Sequence, residues 1–129
     1  DGCWSYPPRL TCHAKEQLMA GYLRATHFTA LNDTGQNVSA GVCRVSHINA
    51  LNRSGATAFI QIFDAAAADV VLGTTVPLFE ILLAASTGFE SISFSPAVEF
   101  QTRMSVFSTT TDGGSTGSAA GVVAQIWVE

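Results

Sequence analysis

Histidine is the side chain most often used for acid–base catalysis and for binding transition metals, and the chain has three, His13, His27 and His47. None stands in an HxH or HExxH arrangement, and the gaps between them do not match the spacing of metal ligands. An isolated histidine in a strand-like segment is more often a hydrogen-bonded structural residue. The sequence therefore predicts no metal site and no cofactor.

Carboxylates are the second group that could do chemistry. Five of them punctuate the predicted strands and their connections: Asp64, Asp69, Glu80, Glu90 and Glu99. Two carboxylates that converge in space can act as acid and base in glycoside hydrolysis, but nothing in this spacing brings two together. The simpler interpretation is that they are solvated charges that discourage aggregation at sheet edges.

The three cysteines leave an odd number for pairing. Cys3 and Cys12 can close a small disulfide loop, or all three cysteines can be free thiols, as is usual in a reducing compartment. Cys43 lies in an apolar run and is predicted to be a buried thiol. A triad built on Cys43 would need a turn that exposes the thiol, and the segment has no such signature. We therefore predict no catalytic residues and no enzymatic activity.

The composition predicts a surface with few charges. Of the 129 residues, 47% are hydrophobic and only 12% are charged, and the formal net charge is −4. The six Lys and Arg residues are scattered, so they make no basic field for nucleic-acid phosphates or an anionic membrane. No apolar run is long enough to cross a bilayer. We expect no nucleic-acid or membrane partner, and a surface suited to packing against other proteins.

Many short strands are predicted. Runs rich in Val, Ile, Phe and Thr alternate with clusters of Gly, Asn, Asp and Ser. The expected strands are 27–31, 42–51, 58–64, 76–84, 90–95, 102–109 and 122–128. Seven or eight strands without a substantial helix predict an all-β domain at 26–129, an antiparallel two-sheet β-sandwich of the jelly-roll type.

Two connections have clear turn chemistry. Asp112-Gly113-Gly114 tolerates positive φ and opens a long loop before the last strand. The run Asn52 to Gly55 is predicted to close a β-hairpin between strands 42–51 and 58–64, with Gly55 in a left-handed conformation.

The segment VPLFEILLA is apolar on both faces. Its two alternating sets are Val76, Leu78 and Leu82 on one side and Phe79, Ile81 and Leu83 on the other. An antiparallel sheet with a solvated outer face would show polar residues there. We therefore expect the outer face of this strand to meet another subunit.

Residues 1–25 are predicted to form an irregular N-terminal arm or attachment segment. Pro7 and Pro8 remove two amide donors and keep the preceding residue extended, and residues 13–24 fit one or two helical turns or a strand equally well. The rings of Trp4 and Tyr6, beside the prolines, are expected to fill a groove on a neighbouring protein. These four residues are the candidate partner-binding residues, and Trp127 is expected in the core or at an interface.

The run from Cys43 to Glu129 resembles small structural proteins of tailed bacteriophages and prophages. A first strand ends in an Asn-rich turn, INALNRSGA, and the next reads FIQIFD. A Gly-Thr-x-x-Pro entry then leads into an apolar strand, GTTVPLFEILLA, and SVFSTTTDG is a late Thr-rich strand. The resemblance covers about the last two thirds of the chain, and the order of the pieces is more specific than any one of them.

This resemblance implies a virion component with a β-sandwich or jelly-roll fold, assembled in the host cytoplasm. Such proteins commonly act as decoration or cement proteins that clamp the major capsid protein, or as subunits of a tail or head appendage. Because decoration proteins sit on local symmetry axes, the analogy implies a homotrimer. Two alternatives stay open: an adhesion or glycan-binding module, and a small hydrolase.

Overall fold

A computed structural model describes residues 24–86 and 88–129. These residues form eight β-strands and one turn of 3-10 helix, Ala67–Asp69. The strands are β1 (Arg24–Phe28), β2 (Gln36–Asn37), β3 (Cys43–Asn52), β4 (Ala58–Asp64), β5 (Phe79–Leu83), β6 (Gly88–Phe100), β7 (Met104–Thr109) and β8 (Val122–Val128). No helix in this part of the chain is long and apolar enough to span a membrane.

The strands form two antiparallel four-stranded sheets. Sheet A has the order β1-β8-β3-β6, and sheet B has the order β2-β7-β4-β5. Side chains from both sheets join one hydrophobic core, whose largest buried members include Val45, Ile48, Ile60, Ile62, Leu83, Phe100, Met104 and Ile126. The predicted all-β, antiparallel two-sheet sandwich is confirmed.

Strand pairing is nested along the sequence. β1 pairs with β8, β2 with β7, β3 with β6, and β4 with β5. Successive pairs alternate between the sheets, so the chain folds as one long antiparallel ribbon that turns from one sheet to the other. The first and last strands therefore lie side by side, with Arg24 opposite Val128.

The predicted strand bounds hold best where apolar side chains alternate cleanly. β4 and β8 match the predicted ranges, and in β8 the residues Val122, Ala124, Ile126 and Val128 all face the core. β1 begins at Arg24, so the sandwich includes the end of the segment predicted as the arm. The two-residue strand β2 was not predicted.

The segment SPAVEFQ, predicted as a connection, is mostly part of β6. β6 is the edge strand of sheet A, and an edge strand tolerates proline because one side of its backbone needs no ladder bond. The register with β3 also jumps from Ser93 to Val98, so Pro96 lies where β6 leaves the ladder. Its missing N–H therefore costs no strand pairing.

The predicted hairpin between β3 and β4 is wrong. β3 pairs with β6 and β8 in sheet A, while β4 pairs with β5 and β7 in sheet B. The link between them crosses the sandwich, and the Asn52 side chain holds it by donating to the carbonyls of Ala56, Leu83 and Ala84. Gly55 does not have a positive φ, whereas Gly113 in the second predicted turn does.

A β-bulge at Ser46 sets the faces of β3. The register shifts between Val45 and His47 against both neighbouring strands. Val45 and Ile48 are both buried, so the extra residue lets His47 point to the outer face of sheet A. A bulge of this kind re-aims a side chain without ending the strand.

The chain's own loops cover much of the outer face of sheet B. Phe63 and Phe107 are buried there and pack edge to face, with ring centroids 5.3 Å apart. Gly35, between β1 and β2, lies against the Phe107 ring. From β4, Gln61 donates a hydrogen bond to the carbonyl of Gly114 in the β7–β8 loop.

Candidate functional site

An apolar strip lies on and beside β5. Val76, Leu78 and Leu82 are 85%, 51% and 58% exposed, and they are half of the large apolar side chains that the described residues expose. Leu82 points away from the core because its neighbours Ile81 and Leu83 are buried in it. We call Val76, Leu78 and Leu82 the β5 strip. The expected second subunit on this face stays a prediction.

The β5 strip borders an open sheet edge. β5 is the edge strand of sheet B, and within the described residues it pairs only with β4. Edge strands are usually protected by charges, bulges or proline, and Glu80 is the one charged side chain in β5. An edge that is apolar and has free backbone groups is suited to association with another protein chain.

A hydrogen-bonded cluster occupies the outer face of sheet A. His47 Nδ1 lies 2.8 Å from Ser93 Oγ, while Nε2 lies 2.8 Å from Asn49 Oδ1 and 3.1 Å from Ser91 Oγ. The Trp127 ring stands edge-on to the imidazole, with centroids 5.3 Å apart. We call these five residues the His47 cluster. They come from β3, β6 and β8, which the sheet register aligns.

A shallow pocket of about 260 Å³ lies on the same face, beside the His47 cluster. His27, Leu51, Phe89 and Gln125 line it, and Arg53 is its only charged residue. Pockets for drug-sized ligands run from roughly 300 to 1,000 Å³. This pocket is therefore large enough for one neutral ring, such as a single sugar residue.

A larger groove of about 740 Å³ lies at one end of the sandwich, between β1, the connection to β3 and the end of β8. Its charged residues are Arg24, Arg103 and Glu129. The Arg103 guanidinium donates to the carbonyl of Ala40 at 2.7 Å, which ties the β6–β7 turn to the β2–β3 connection. The mixture of charges favours no single class of ligand.

Covalent catalysis finds little support in the placement of the reactive groups. Cys43 is a buried free thiol, as predicted, and it faces the core while His47 lies on the opposite face of β3. Ser93, His47 and Asn49 do line up as nucleophile, base and orienting amide. Asn49 lines the 260 Å³ pocket, but neither of the two cavities described above includes His47 or Ser93.

Asp64 is a structural carboxylate. It accepts hydrogen bonds from the backbone N–H groups of Gln101, Thr102 and Arg103 at 3.0, 2.8 and 3.3 Å. Burial alone would raise its pKa, but the three hydrogen bonds outweigh burial and lower the pKa below its usual value. Asp64 therefore fixes the turn between β6 and β7.

Two of the other predicted carboxylates, Glu80 and Glu99, have separate partners. Glu80 Oε1 accepts from the Gly113 N–H at 2.8 Å. Burial, followed by a side-chain hydrogen bond with Asp112, raises the Glu80 pKa. Glu99 forms an exposed ion pair with Arg44 at 3.7 Å. Among the described residues, no hydrogen bond joins two of the five predicted carboxylates.

Several predicted residues lie outside the described part of the chain: Cys3, Trp4, Tyr6, Pro7, Pro8, Cys12 and His13. Trp127 is half-buried on the outer face of sheet A. Of its two expected positions, the core is therefore wrong and an interface stays a prediction. No group of three or more His, Cys, Asp or Glu residues that could hold a metal occurs within 24–86 and 88–129.

Sequence reasoning missed the His47 cluster. Its only signal is a set of polar residues at alternate positions in HINALN, FESISFS and VVAQIWVE. That alternation predicts one polar face for each strand, but only the strand register brings the three faces together.

Comparison of the chain with protein-family models, with curated proteins and with solved structures gave no match.

Proposed function

We propose that the chain is a non-enzymatic structural protein of a bacteriophage virion. In this proposal it acts as a capsid decoration or cement protein, present as a homotrimer, and stabilises the particle by packing against the major capsid protein or other virion proteins. The function is one of surface burial, and it needs no cofactor and no reactive side chain.

The motifs behind the resemblance fall on the framework of the sandwich. INALNRSGA covers the end of β3 and the crossing to sheet B, and FIQIFD lies within β4. GTTVPLFEILLA runs into β5, and SVFSTTTDG covers most of β7 and the turn after it. The resemblance therefore rests on strands of both sheets rather than on one isolated turn.

We infer further that the sandwich is a jelly roll. A jelly roll has eight strands in two sheets, built from two Greek keys. The nested pairing of β1 with β8, β2 with β7, β3 with β6 and β4 with β5 supports this inference.

The β5 strip is the observation that carries the proposed function. Burying apolar surface contributes roughly 25 cal/mol per Å², and three exposed aliphatic side chains at an open sheet edge offer such surface. The low density of charge adds little desolvation cost when this edge meets a partner. The β5 strip and the open edge of β5 therefore support a role in association with other protein chains.

The direct test is the mass of the assembly. The full chain is purified under gentle conditions and its mass is measured by sedimentation velocity. We expect a trimer, and we expect the double variant Leu78→Ser with Leu82→Ser to shift toward monomer without losing its β-sheet circular dichroism. The matched control is Val42→Ser, since Val42 is 67% exposed but lies away from β5.

A second measurement ties the protein to a particle. Immunogold electron microscopy on particles from a lysate of the strain that carries the gene should label heads or appendages. The proposal would be overturned if the chain is a monomer and the antibody labels no particle. Loss of assembly in the Val42→Ser variant would contradict the assignment of assembly to the β5 strip.

A glycan-binding module is the second candidate, favoured by the outer face of sheet A. The His47 cluster presents imidazole, amide and hydroxyl groups beside an indole ring. Neutral donors and acceptors next to an aromatic ring suit sugar hydroxyls and the apolar face of a pyranose.

Saturation-transfer NMR with neutral oligosaccharides tests this second function. Binding should be lost in Trp127→Ala and kept in the β5-strip double variant. The absence of transfer from a broad set of neutral glycans would reject the glycan-binding function.

A further inference from the structure

Three oxygen-bearing side chains come together beneath the β7–β8 loop. Gln61 and Glu80 are direct cross-strand partners on β4 and β5, so their side chains lie next to each other on the outer face of sheet B. The loop brings Asp112 to the Glu80 carboxylate, and the Gly113 N–H donates to Glu80 Oε1. Gln61 in turn donates to Gly114 O, so one short loop segment contacts both strand residues.

The side-chain oxygen of Gln61, beneath the β7–β8 loop, has no hydrogen-bond donor. The residue is 0% exposed, and its Oε1 has no hydrogen-bond partner. Both hydrogens of its Nε2 are used, by Thr109 Oγ1 at 2.8 Å and by Gly114 O at 3.0 Å. Exchanging the two amide atoms would set Oε1 against the Gly114 carbonyl, so the hydrogen bonds fix the amide orientation.

Three of the donors around Gln61 are already used. The Thr109 hydroxyl donates to Thr111 O, and the Gly114 N–H also donates to Thr111 O. The Gly113 N–H is bound to Glu80. A buried amide oxygen without a partner is destabilising. None of these three donors is left for Gln61 Oε1, and a cation can serve as its partner instead.

We propose that Gln61 Oε1 and the carboxylates of Glu80 and Asp112 form a binding site for a hard divalent cation, with Ca²⁺ as the best match. Ca²⁺ binds oxygen ligands only, takes six to eight of them in flexible geometry, and accepts amide and carboxylate oxygens together. Water would supply the remaining ligands. This site is independent of the proposed virion function.

Charge supports the same assignment. The carboxylates of Glu80 and Asp112, which lie in contact, repel each other when both are ionised. A divalent cation removes that repulsion and gives the buried Gln61 oxygen a partner. With only two carboxylates and three side-chain ligands, the affinity should fall in the range of about 0.1–1 mM.

Equilibrium dialysis with radioactive Ca²⁺ tests the site directly on the full chain. We expect one ion per chain at pH 7. Because binding to the native state alone stabilises it, 10 mM CaCl2 should raise the Tm by roughly 3–6 °C over NaCl of equal ionic strength. MgCl2 at the same concentration should have a smaller effect.

Two variants and one control decide the outcome. Asp112→Asn and Glu80→Gln should each abolish the bound ion and the Ca²⁺-dependent Tm shift, while Asp69→Asn, which removes an exposed acid elsewhere, should keep both. Circular dichroism checks that each variant folds. Absence of binding at 10 mM, or equal binding in Asp112→Asn, would overturn the proposal. A Tm that rises in Asp112→Asn without any Ca²⁺ effect would show that the carboxyl pair shares only a proton.

Discussion

Two polar side chains with three or more hydrogen bonds hold connections of this sandwich in place. Asn52 binds the backbone at the crossing between sheets, and Asp64 binds three N–H groups of the β6–β7 turn. Each stands at or near the end of a strand, where the chain leaves the ladder and its backbone groups need other partners. These residues are expected to show their effects in stability measurements rather than in a chemical reaction.

Asp64→Asn tests this structural role by removing the negative charge of one side chain. The Asp64 pKa is lowered from 3.8, so the unfolded chain binds this proton more readily and the stabilisation is present above pH 3.8. It is lost as the pH falls through the lower folded-state pKa. We expect the variant to lose about 1 kcal/mol of unfolding free energy at pH 7.

Urea unfolding at pH 7 and at pH 2–3 checks the Asp64 prediction. The difference between Asp64→Asn and the parent chain should shrink at the lower pH, while Asp69→Asn should match the parent at both. A difference of the same size at both pH values would rule out the charge as its cause.

Gly35→Ala tests the close contact that covers sheet B. A Cβ at residue 35 would lie 2.6 Å from Cε2 of Phe107, whose ring is buried against Phe63 and has no room to shift. We expect a loss of about 1–3 kcal/mol, typical of overpacking. Thermal and urea unfolding measure it.

Gly55→Ala is the matched control for Gly35→Ala. An added Cβ at residue 55 meets nothing within 4 Å, and Gly55 does not have a positive φ. The control should be neutral or slightly stabilising, because alanine restricts the unfolded chain. Equal losses in the two variants would contradict the packing explanation.

At the scale of the strands, the sequence predicts elements well and their partners poorly. β4 and β8 were located correctly because β-branched and aromatic side chains alternate in them and turn residues bound them. The NRSGA link, in contrast, has turn chemistry that fits a hairpin and a crossing equally well. Hydrogen bonds from Asn52 to Leu83 and Ala84, about 30 residues away, hold the crossing, and no local pattern reports such contacts.

The candidate surfaces show the same division. The apolar residues of the β5 strip are visible in VPLFEILLA, whereas the His47 cluster depends on a bulge at Ser46 and on the register of three strands. The orphaned Gln61 oxygen likewise follows from how the β7–β8 loop folds over sheet B. The register between strands that are distant in the sequence, and the placement of the loops, could not be predicted from the sequence alone.

Asn52→Ala tests whether this side chain holds the crossing between the sheets. The substitution removes the Nδ2 donor to the Leu83 and Ala84 carbonyls and the acceptor of the Ser54 N–H, while the Ala84 carbonyl keeps its bond from the Gly88 N–H. Asn52 is buried, so we expect a loss of about 2–4 kcal/mol.

Guanidinium unfolding and amide hydrogen exchange check the Asn52 prediction. Exchange should quicken first at the link between β3 and β4 and at the end of β5. The control is Asn49→Ala on the outer face of sheet A, with an expected change within about 0.5 kcal/mol. A loss below that size in Asn52→Ala would contradict the anchoring role.

At the scale of the whole molecule, the nested ribbon of residues 24–86 and 88–129 has four edge strands, β1 and β6 in sheet A and β2 and β5 in sheet B. Their exposure to a partner differs. β2 has only two residues, and β6 leaves its ladder where Pro96 lies. β5 has five residues with one charge, Glu80, and it carries exposed leucine. Assembly through β5 is therefore the expected way for the molecule to complete its apolar surface.

Assembly of this kind predicts a Tm that depends on protein concentration. Unfolding of a trimer is coupled to dissociation, so each tenfold rise in chain concentration should raise the Tm by about 3–5 °C. Differential scanning calorimetry over a hundredfold range measures the slope. The Leu78→Ser and Leu82→Ser double variant should lose the slope, because the folded monomer keeps its core but no longer associates. A Tm independent of concentration in the parent chain would mean that the β5 edge stays exposed in solution, and the proposed trimer would have to be abandoned.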